Sequence, residues 1–186
     1  MTILRFLILL VFLITPLHAK EFHGVNFPEK WKVGKAELVL NGVGIRQYSI
    51  FKVNVYVAGL YLEKASNDEG AVLNSTGVKH IRMHFLRDVT AQSTREGWRE
   101  YLKDNATVPW GELQESAEAY LSKIPDIKEG QVFTHDFYND RVVLALENKV
   151  LAEISGKEFS RTCLSTWIGK KPSTEKLKAG LLGFSD

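Results

Sequence analysis

Apolar and polar residues alternate along several segments of the chain, as they do in strands with one buried face. The clearest alternation lies in residues 78–86, where isoleucine, methionine and phenylalanine share one face. Residues 45–63 are rich in β-branched and aromatic residues, which favour strands, but this segment exceeds the length of one ordinary strand. We therefore expect a hairpin there, with its bend near Phe51. The remaining predicted strands cover residues 36–41, 130–138, 141–147 and 149–155.

Other segments carry apolar residues at intervals of three and four, which is the period of an amphipathic helix. Thr90 is suited to cap the first of them, and Ser173 is suited to cap the last. The predicted helices cover residues 90–103, 112–124, 157–168 and 173–182. Strands and helices thus come in blocks rather than in strict alternation. This order predicts an α+β fold with an antiparallel sheet.

Length and composition narrow the class of protein. A chain of 186 residues predicts one domain, and 45% hydrophobic with 25% charged residues is a globular balance. The formal net charge of +2 is too small for the concentrated basic face of a nucleic-acid binder, so no nucleic acid is expected as a partner. The single cysteine, Cys163, excludes an intrachain disulfide, and we expect it to be a buried, unreactive thiol.

The first nineteen residues have the layout of a secretory signal peptide. Arg5 supplies the positive charge, Phe6–Ile14 is an unbroken apolar run, and Ala19 is a small residue at the expected cleavage site. A membrane-spanning helix needs about 20 apolar residues, so this run is short for a membrane span, and an uncleaved membrane anchor is the alternative. After cleavage no stable membrane insertion is expected. Residues 1–19 are therefore predicted to be removed, leaving a domain of residues 20–186 that is periplasmic or secreted.

One pair of residues stands out as candidate chemistry. If the hairpin bends at Phe51, Arg46 lies directly opposite Tyr56 on one sheet face. An arginine beside a phenol can bind a carboxylate or an enolate, although a surface arginine on a half-exposed strand is the plainer alternative. Gly42 and Gly44 precede a strand and lack the third glycine of a dinucleotide loop. No cofactor or metal site is expected.

Several segments resemble the chalcone isomerase-like family, in the family's own order and over most of the predicted mature chain. The most specific are the arginine of the glycine-rich segment and the Ala-Gly-Leu-Tyr-Leu strand. The resemblance implies an open-faced sandwich, with a large antiparallel sheet backed by a layer of helices. The predicted signal peptide is similar to that of the exported bacterial branch. The matching segments are residues 40–46, 55–63, 81–92, 146–156 and 165–183.

The resemblance also places the residues that plant isomerases use to close a flavanone ring. Their arginine corresponds to Arg46 and their Ser/Thr to Thr166, and both are kept. Their threonine on the next strand corresponds to Tyr56, which is a departure. Their tyrosine, lysine and asparagine fall at Thr94, Gly97 and Tyr101, so all three differ. Because developing enolate charge would then rest on Arg46 and Tyr56 alone, chalcone cyclisation is not expected.

Another branch of the family binds fatty acids without catalysis, and an arginine and a tyrosine on these two strands hold the carboxylate. Arg46 and Tyr56 match that pair, and Thr94 and Thr166 are expected to line the mouth of the pocket. The favoured hypothesis is therefore a non-catalytic binder of a fatty acid or similar apolar carboxylate. An intramolecular lyase that stabilises an enolate with Arg46 and Tyr56 is the first alternative. A structural or partner-binding protein is the second.

Overall fold

A computed structural model describes residues 19–49 and 51–184, so the predicted signal peptide, apart from Ala19, lies outside the described residues. Nine strands and five helices make up the described part of the chain. The strands are β1 Ala19–Phe22, β2 Val25–Pro28, β3 Lys30–Val33, β4 Ala36–Tyr48, β5 Val53–Leu62, β6 Lys79–Phe85, β7 Val132–Phe137, β8 Arg141–Leu146 and β9 Lys149–Ser155. The helices are α1 Glu69–Asn74, α2 Ala91–Asp104, α3 Trp110–Ser122, α4 Lys157–Ile168 and α5 Glu175–Leu181.

Strands β3 to β9 form one seven-stranded sheet in which neighbours in sequence are also neighbours in space. Every pairing in it is antiparallel. Helix α1 lies between β5 and β6, α2 and α3 lie between β6 and β7, and α4 and α5 follow β9. The helices pack on one face of the sheet, which we call the helix face. This architecture confirms the predicted α+β sandwich.

The main core lies between the helix face and the helices. Tyr56 and Leu60 of β5 and Ile81 of β6 are buried there with side chains of every helix. On the opposite face, the β1–β2 hairpin places Phe27 over a smaller cluster that includes Val57. Successive residues of β5 thus serve different cores, as the alternation of a strand requires. None of the helices in the described residues combines the length and the apolar character that crossing a membrane takes.

Strand β4 is continuous where the sequence predicted a strand that ends before the glycines. A side chain at Gly42 or Gly44 would collide with the backbone of α5, since a Cβ at Gly42 would lie 2.2 Å from the Gly180 carbonyl oxygen. The glycines therefore let helix and strand backbones meet directly. The two glycines suggested that the strand is interrupted, because glycine is unfavourable in strands. Here the close packing of β4 against α5 outweighs that cost.

The remaining differences concern short elements. The sequence predicted neither the three strands that precede β4 nor the short helix α1, which offer little periodicity. The last helix begins after Thr174, whose side chain accepts a hydrogen bond from the Leu177 amide, so the prediction of Ser173 as its cap is wrong. The other predicted helices and strands agree with the structure to within about two residues, the usual scatter of element ends.

Candidate functional site

Arg46 and Tyr56 are directly paired across the β4–β5 hairpin. The hairpin closes at Ser49, whose carbonyl accepts a hydrogen bond from the Lys52 amide, close to the predicted bend. The register shifts just beyond the pair, because Gln47 lies opposite Asn54 and leaves one residue of β5 unpaired. Bulges of this kind turn side chains at the end of a ladder. The predicted pairing of Arg46 with Tyr56 across the two strands is therefore confirmed. The pair lies at one end of the helix face.

The Arg46 guanidinium is half-buried and contacts only neutral oxygen atoms. Its Nη2 donates a hydrogen bond to the Tyr101 hydroxyl at 2.9 Å, and its Nη1 donates to the Gln47 carbonyl. Among the described residues, no carboxylate forms an ion pair with it. Since a guanidinium has five N–H donors, several remain available to an incoming acceptor. The positive charge of Arg46 is thus not neutralised within the described fold.

Tyr56 is 4% exposed, and its ring lies 5.3 Å from that of Phe85 on the neighbouring strand. Burial raises the pKa of its phenol to about 12, while the Arg46 charge and the nearby Trp167 and Ser173 side chains act in the opposite direction. Desolvation wins because the phenolate would lose more hydration than these neighbours return. Tyr56 is therefore a neutral hydrogen-bond donor at any physiological pH, and it cannot serve as a general base there.

The segment between α4 and α5 supplies two further polar groups. Ser173 donates its backbone N–H to the Thr166 carbonyl at 2.9 Å, which ties this segment to the end of α4. Its hydroxyl is buried without a hydrogen bond of ordinary geometry, although it lies close enough to Tyr56 to lower the pKa of that phenol. An arginine, two phenols, an indole N–H and a serine hydroxyl thus come together. This is a donor-rich setting suited to an anionic oxygen.

Thr94 and Thr166, the other two predicted site residues, have hydroxyls that already make backbone hydrogen bonds. Thr94 Oγ1 donates to the Thr90 carbonyl at 2.9 Å, and Thr166 Oγ1 donates to the Cys163 carbonyl at 2.8 Å. Thr94 lies two turns before Tyr101 on α2, so both residues are on similar sides of that helix. Thr166 is buried and immediately precedes Trp167 in α4. Neither threonine forms a hydrogen bond with Arg46 or Tyr56.

Tyr101, Trp167 and Ser173 were not predicted as site residues. The sequence offers a weak signal for the first two, because they fall on the apolar faces of predicted helices, but that signal equally describes core residues. Ser173 is a residue type that favours helix caps, and it was therefore predicted as the cap of the last helix rather than as a site residue. All three come from elements far from β4 in sequence, so only the packing of the helices on the sheet brings them to Arg46.

Aromatic rings fill the interior next to this site. Trp98 of α2 has its ring 5.6 Å from that of Trp167, 5.7 Å from that of Tyr120 and 5.8 Å from that of Phe133. Tyr120 in turn bonds to the buried His135 at 2.9 Å. These rings provide an apolar surface next to Arg46 and Tyr56. They are closely packed, so a ligand tail requires them, or α2, to move.

Other titratable groups of this core are neutral. Burial raises the pKa of the Cys163 thiol to about 12 and lowers the pKa of His135 to about 3. The thiol is therefore protonated at neutral pH, as expected for an unreactive cysteine, and lacks the exposed electropositive setting of a nucleophile. No group of three or more metal-binding side chains occurs among residues 19–49 and 51–184.

Comparison with known proteins places this site in context. The family model described as chalcone isomerase-like matches residues 19–183. The chain belongs to the chalcone isomerase-like family. No curated protein matches the chain. Among solved structures, the chain is similar to the crystal structure of an Arabidopsis thaliana fatty-acid binding protein, with a TM-score of 0.74 and 15% sequence identity. That match covers 89% of this chain and 96% of the other.

Membership of the chalcone isomerase-like family confirms the resemblance found in the sequence. It also shows that β4, β5 and the helices above them have the family's architecture. Arg46 of β4 is paired with Tyr56 of β5, and the correspondence of these two residues to the arginine and threonine of the isomerases stays a prediction. On α2, Gly97 leaves open space, since a Cβ there would meet only the Tyr101 ring, at 4.0 Å. Helix α2 therefore has no cation at Gly97, the position where the resemblance places the lysine of the isomerases.

Proposed function

We propose that this protein binds a fatty acid or a similar apolar carboxylate without transforming it. Arg46 pairs with the carboxylate, and Tyr56 donates its hydroxyl to the same group. Until the ligand binds, Tyr101 orients the guanidinium through the hydrogen bond that it accepts from Nη2. Thr94 and Thr166 line the approach to the pair, and the rings around Trp98 and Trp167 receive the apolar tail.

The observation that carries this proposal is the unneutralised charge of Arg46 beside a buried phenol. A cation removed from water is costly unless a partner compensates it, and Arg46 contacts only neutral oxygens. An incoming carboxylate would supply that partner. The description of the Arabidopsis thaliana structure as a fatty-acid binding protein supports the same ligand class, by fold alone.

Entry of a tail requires a change in packing, and α2 is the element that we expect to move. It carries both Trp98, at the centre of the packed rings, and Tyr101, whose hydroxyl bonds to Arg46 at 2.9 Å. A carboxylate that binds Arg46 through two parallel hydrogen bonds can take the Nη2 donor that Tyr101 occupies, after a first contact with the donors that remain available. Ligand binding and release of α2 are thus coupled through one hydrogen bond.

An intramolecular lyase is the second candidate, because Arg46 and Tyr56 could stabilise an enolate as well as a carboxylate. The composition of α2 argues against it, since Thr94, Gly97 and Tyr101 replace the residues that the resembling isomerases carry. In the described chain Arg46 hydrogen-bonds to the Tyr101 hydroxyl and the Gln47 carbonyl, neither of which is a carboxylate or an imidazole, and Tyr56 stays protonated because burial raises the pKa of its phenol. We therefore favour binding over catalysis.

We also propose that the protein acts outside the cytoplasm, in the periplasm or as a secreted protein. Arg5, the apolar run Phe6–Ile14 and Ala19 support this proposal through the pattern of a signal peptide. A binder in such a compartment could carry apolar acids through an aqueous space.

The direct test compares an acid with its ester. Dodecanoate at pH 8, where the acid is ionised, is expected to bind the purified protein at least about tenfold more tightly than methyl dodecanoate, because only the acid offers an anion to Arg46. Isothermal titration calorimetry measures both. Equal affinities for acid and ester would contradict the proposal, and accelerated ring closure of a hydroxychalcone, followed by absorbance, would favour the lyase.

A further inference from the structure

A polar cavity of about 120 Å³ lies far from Arg46 and Tyr56. It is lined by the end of α1, the start of β6, the end of β7 and the first turns of α4. In the β5–β6 register, Tyr56 pairs with Phe85 at one end and Leu62 pairs with Lys79 at the other. Six residues separate Lys79 from Phe85, which is about 20 Å of strand. The cavity is therefore a separate place on the helix face.

Positive charge dominates the lining of this cavity. Lys79, Lys157 and Arg161 line it, and Glu158 is the one acidic side chain in the lining. The Glu158 carboxylate already accepts a hydrogen bond from the Thr107 hydroxyl at 2.9 Å. Within the described residues, none of the three cations forms an ion pair with a carboxylate. The lining thus has an excess of two positive charges.

Lys79 is the most deeply placed of these cations, with 5% of its surface exposed. Its Nζ donates to the carbonyls of Ser75 and Gly77 at 2.7 and 2.8 Å, so these contacts use two of its three N–H groups. Glu63 lies near enough to act on its charge, yet burial outweighs that effect and lowers the pKa of Lys79 to about 8. The ammonium thus lacks the counter-charge that its burial calls for.

Arg161 is half-buried and makes no hydrogen bond or ion pair with any described side chain or carbonyl through its guanidinium. Its Nε is buried and unpartnered. By contrast, Arg95 donates to the Ile124 carbonyl, and Arg99 pairs with Glu118. Buried donors without acceptors are costly, and a guanidinium fits an oxyanion with two parallel hydrogen bonds. Arg161 is thus positioned as an anion ligand that has no acceptor within the described fold.

We propose that this cavity binds a small oxyanion, a phosphate or carboxylate group, between Arg161 and Lys79. The volume exceeds what one water molecule needs, and it accommodates a tetrahedral or planar anion. Helix α4 adds a favourable dipole, because its first turn borders the cavity and no side chain caps it at Gly156. This site is separate from the pair formed by Arg46 and Tyr56.

The test uses inorganic phosphate and acetate as probes, with sodium chloride at matched ionic strength as reference. Calorimetry at pH 7 in an Arg46→Met background, which removes the other proposed carboxylate site, is expected to show one phosphate or acetate site, and the tighter of the two identifies the anion class. Arg161→Gln is expected to weaken that site by about 10- to 150-fold, since a charged hydrogen-bonding partner is lost. Arg87→Gln, which removes an exposed arginine outside the cavity, is expected to leave it unchanged.

Thermal unfolding separates binding from a structural role. Without added oxyanion, Arg161→Gln is expected to unfold at the parent's temperature or above it, because the guanidinium makes no stabilising contact. In the Arg46→Met background, phosphate or acetate should stabilise the protein and its Arg87→Gln variant, but not its Arg161→Gln variant. The proposal is overturned if neither anion binds more tightly than chloride, if both variants bind as the parent does, or if Arg161→Gln is destabilised without added anion.

Discussion

Single residues show how burial and charge are balanced at the pair formed by Arg46 and Tyr56. The Arg46 guanidinium has only the Tyr101 hydroxyl and a carbonyl as hydrogen-bond partners, whereas Arg99 and Arg141 pair with carboxylates. Tyr56 stays neutral because its phenol is buried, even though a cation lies on the adjacent strand. The pair therefore presents one positive charge and one neutral donor, a combination that favours an anionic oxygen.

The pairing of Arg46 with Tyr56 could be predicted from sequence because it depends only on where one hairpin bends. Tyr101, Trp167 and Ser173 could not, since their positions depend on how three helical segments pack across the sheet. Local periodicity assigns each of them to a helix face or a cap. It contains no information about which strand that face meets.

The buried phenol of Tyr56 predicts a specific alkaline response. Its pKa of about 12 in the fold exceeds the value near 10 of an exposed tyrosine, so the stability it contributes is complete below pH 10 and is lost as pH rises towards 12. Between pH 9 and 11 the parent is expected to lose about 1–1.5 kcal/mol more unfolding free energy than Tyr56→Phe. Urea denaturation at both pH values measures this difference. Equal losses would mean that Tyr56 ionises in the fold as an exposed phenol does.

Among the secondary-structure elements, the contact of α5 with β4 is the closest backbone approach that glycine permits here. A Cβ on Gly180 would lie 2.4 Å from the Val43 carbonyl oxygen, and one on Gly44 would lie 2.6 Å from that of Leu177. Neither carbonyl can move without disturbing a strand or a helix. This contact holds the C-terminal helix against the strand that carries Arg46.

Two helical glycines provide a matched test of that contact. Alanine normally stabilises a helix by up to about 1 kcal/mol relative to glycine, and Gly97→Ala is expected to do so because its surroundings are open. Gly180→Ala is expected instead to destabilise the protein by about 1–3 kcal/mol, since the new methyl group overpacks the interface. Chemical denaturation of both variants checks the signs. A stabilised Gly180→Ala would show that α5 does not rest on β4 as described.

Elements with strong periodicity were predictable, and those shaped by packing were not. Helix α4 begins and ends at the predicted residues, because its apolar positions repeat regularly and Gly169 follows it. Strand β4 was predicted to be short, because its glycines serve a distant helix rather than the strand itself. The cap of α5 was misplaced by one residue, between two adjacent side chains that can both accept a backbone hydrogen bond.

At the scale of the whole molecule, one sheet holds two polar places at opposite ends of its helix face. Arg46 and Tyr56 lie where β4, β5 and α2 meet. The cavity lined by Lys79 and Arg161 lies where β6, β7 and α4 meet. The order of strands and helices predicted an α+β fold with an antiparallel sheet, and the resemblance to the family implied the open-faced sandwich. The cavity was not predictable, since no local pattern joins its lining residues.

The most direct test of the account is a titration of dodecanoate into the parent and two arginine variants. Arg46→Met keeps a side chain of similar length and removes the charge, so it is expected to weaken binding by about 10- to 150-fold. Arg87→Met removes an exposed cation just beyond the end of β6, the strand whose Phe85 pairs with Tyr56, and is expected to change affinity less than about threefold. Circular dichroism confirms that each variant is folded. Binding by Arg46→Met as tight as that of the parent would contradict the proposed role of this arginine.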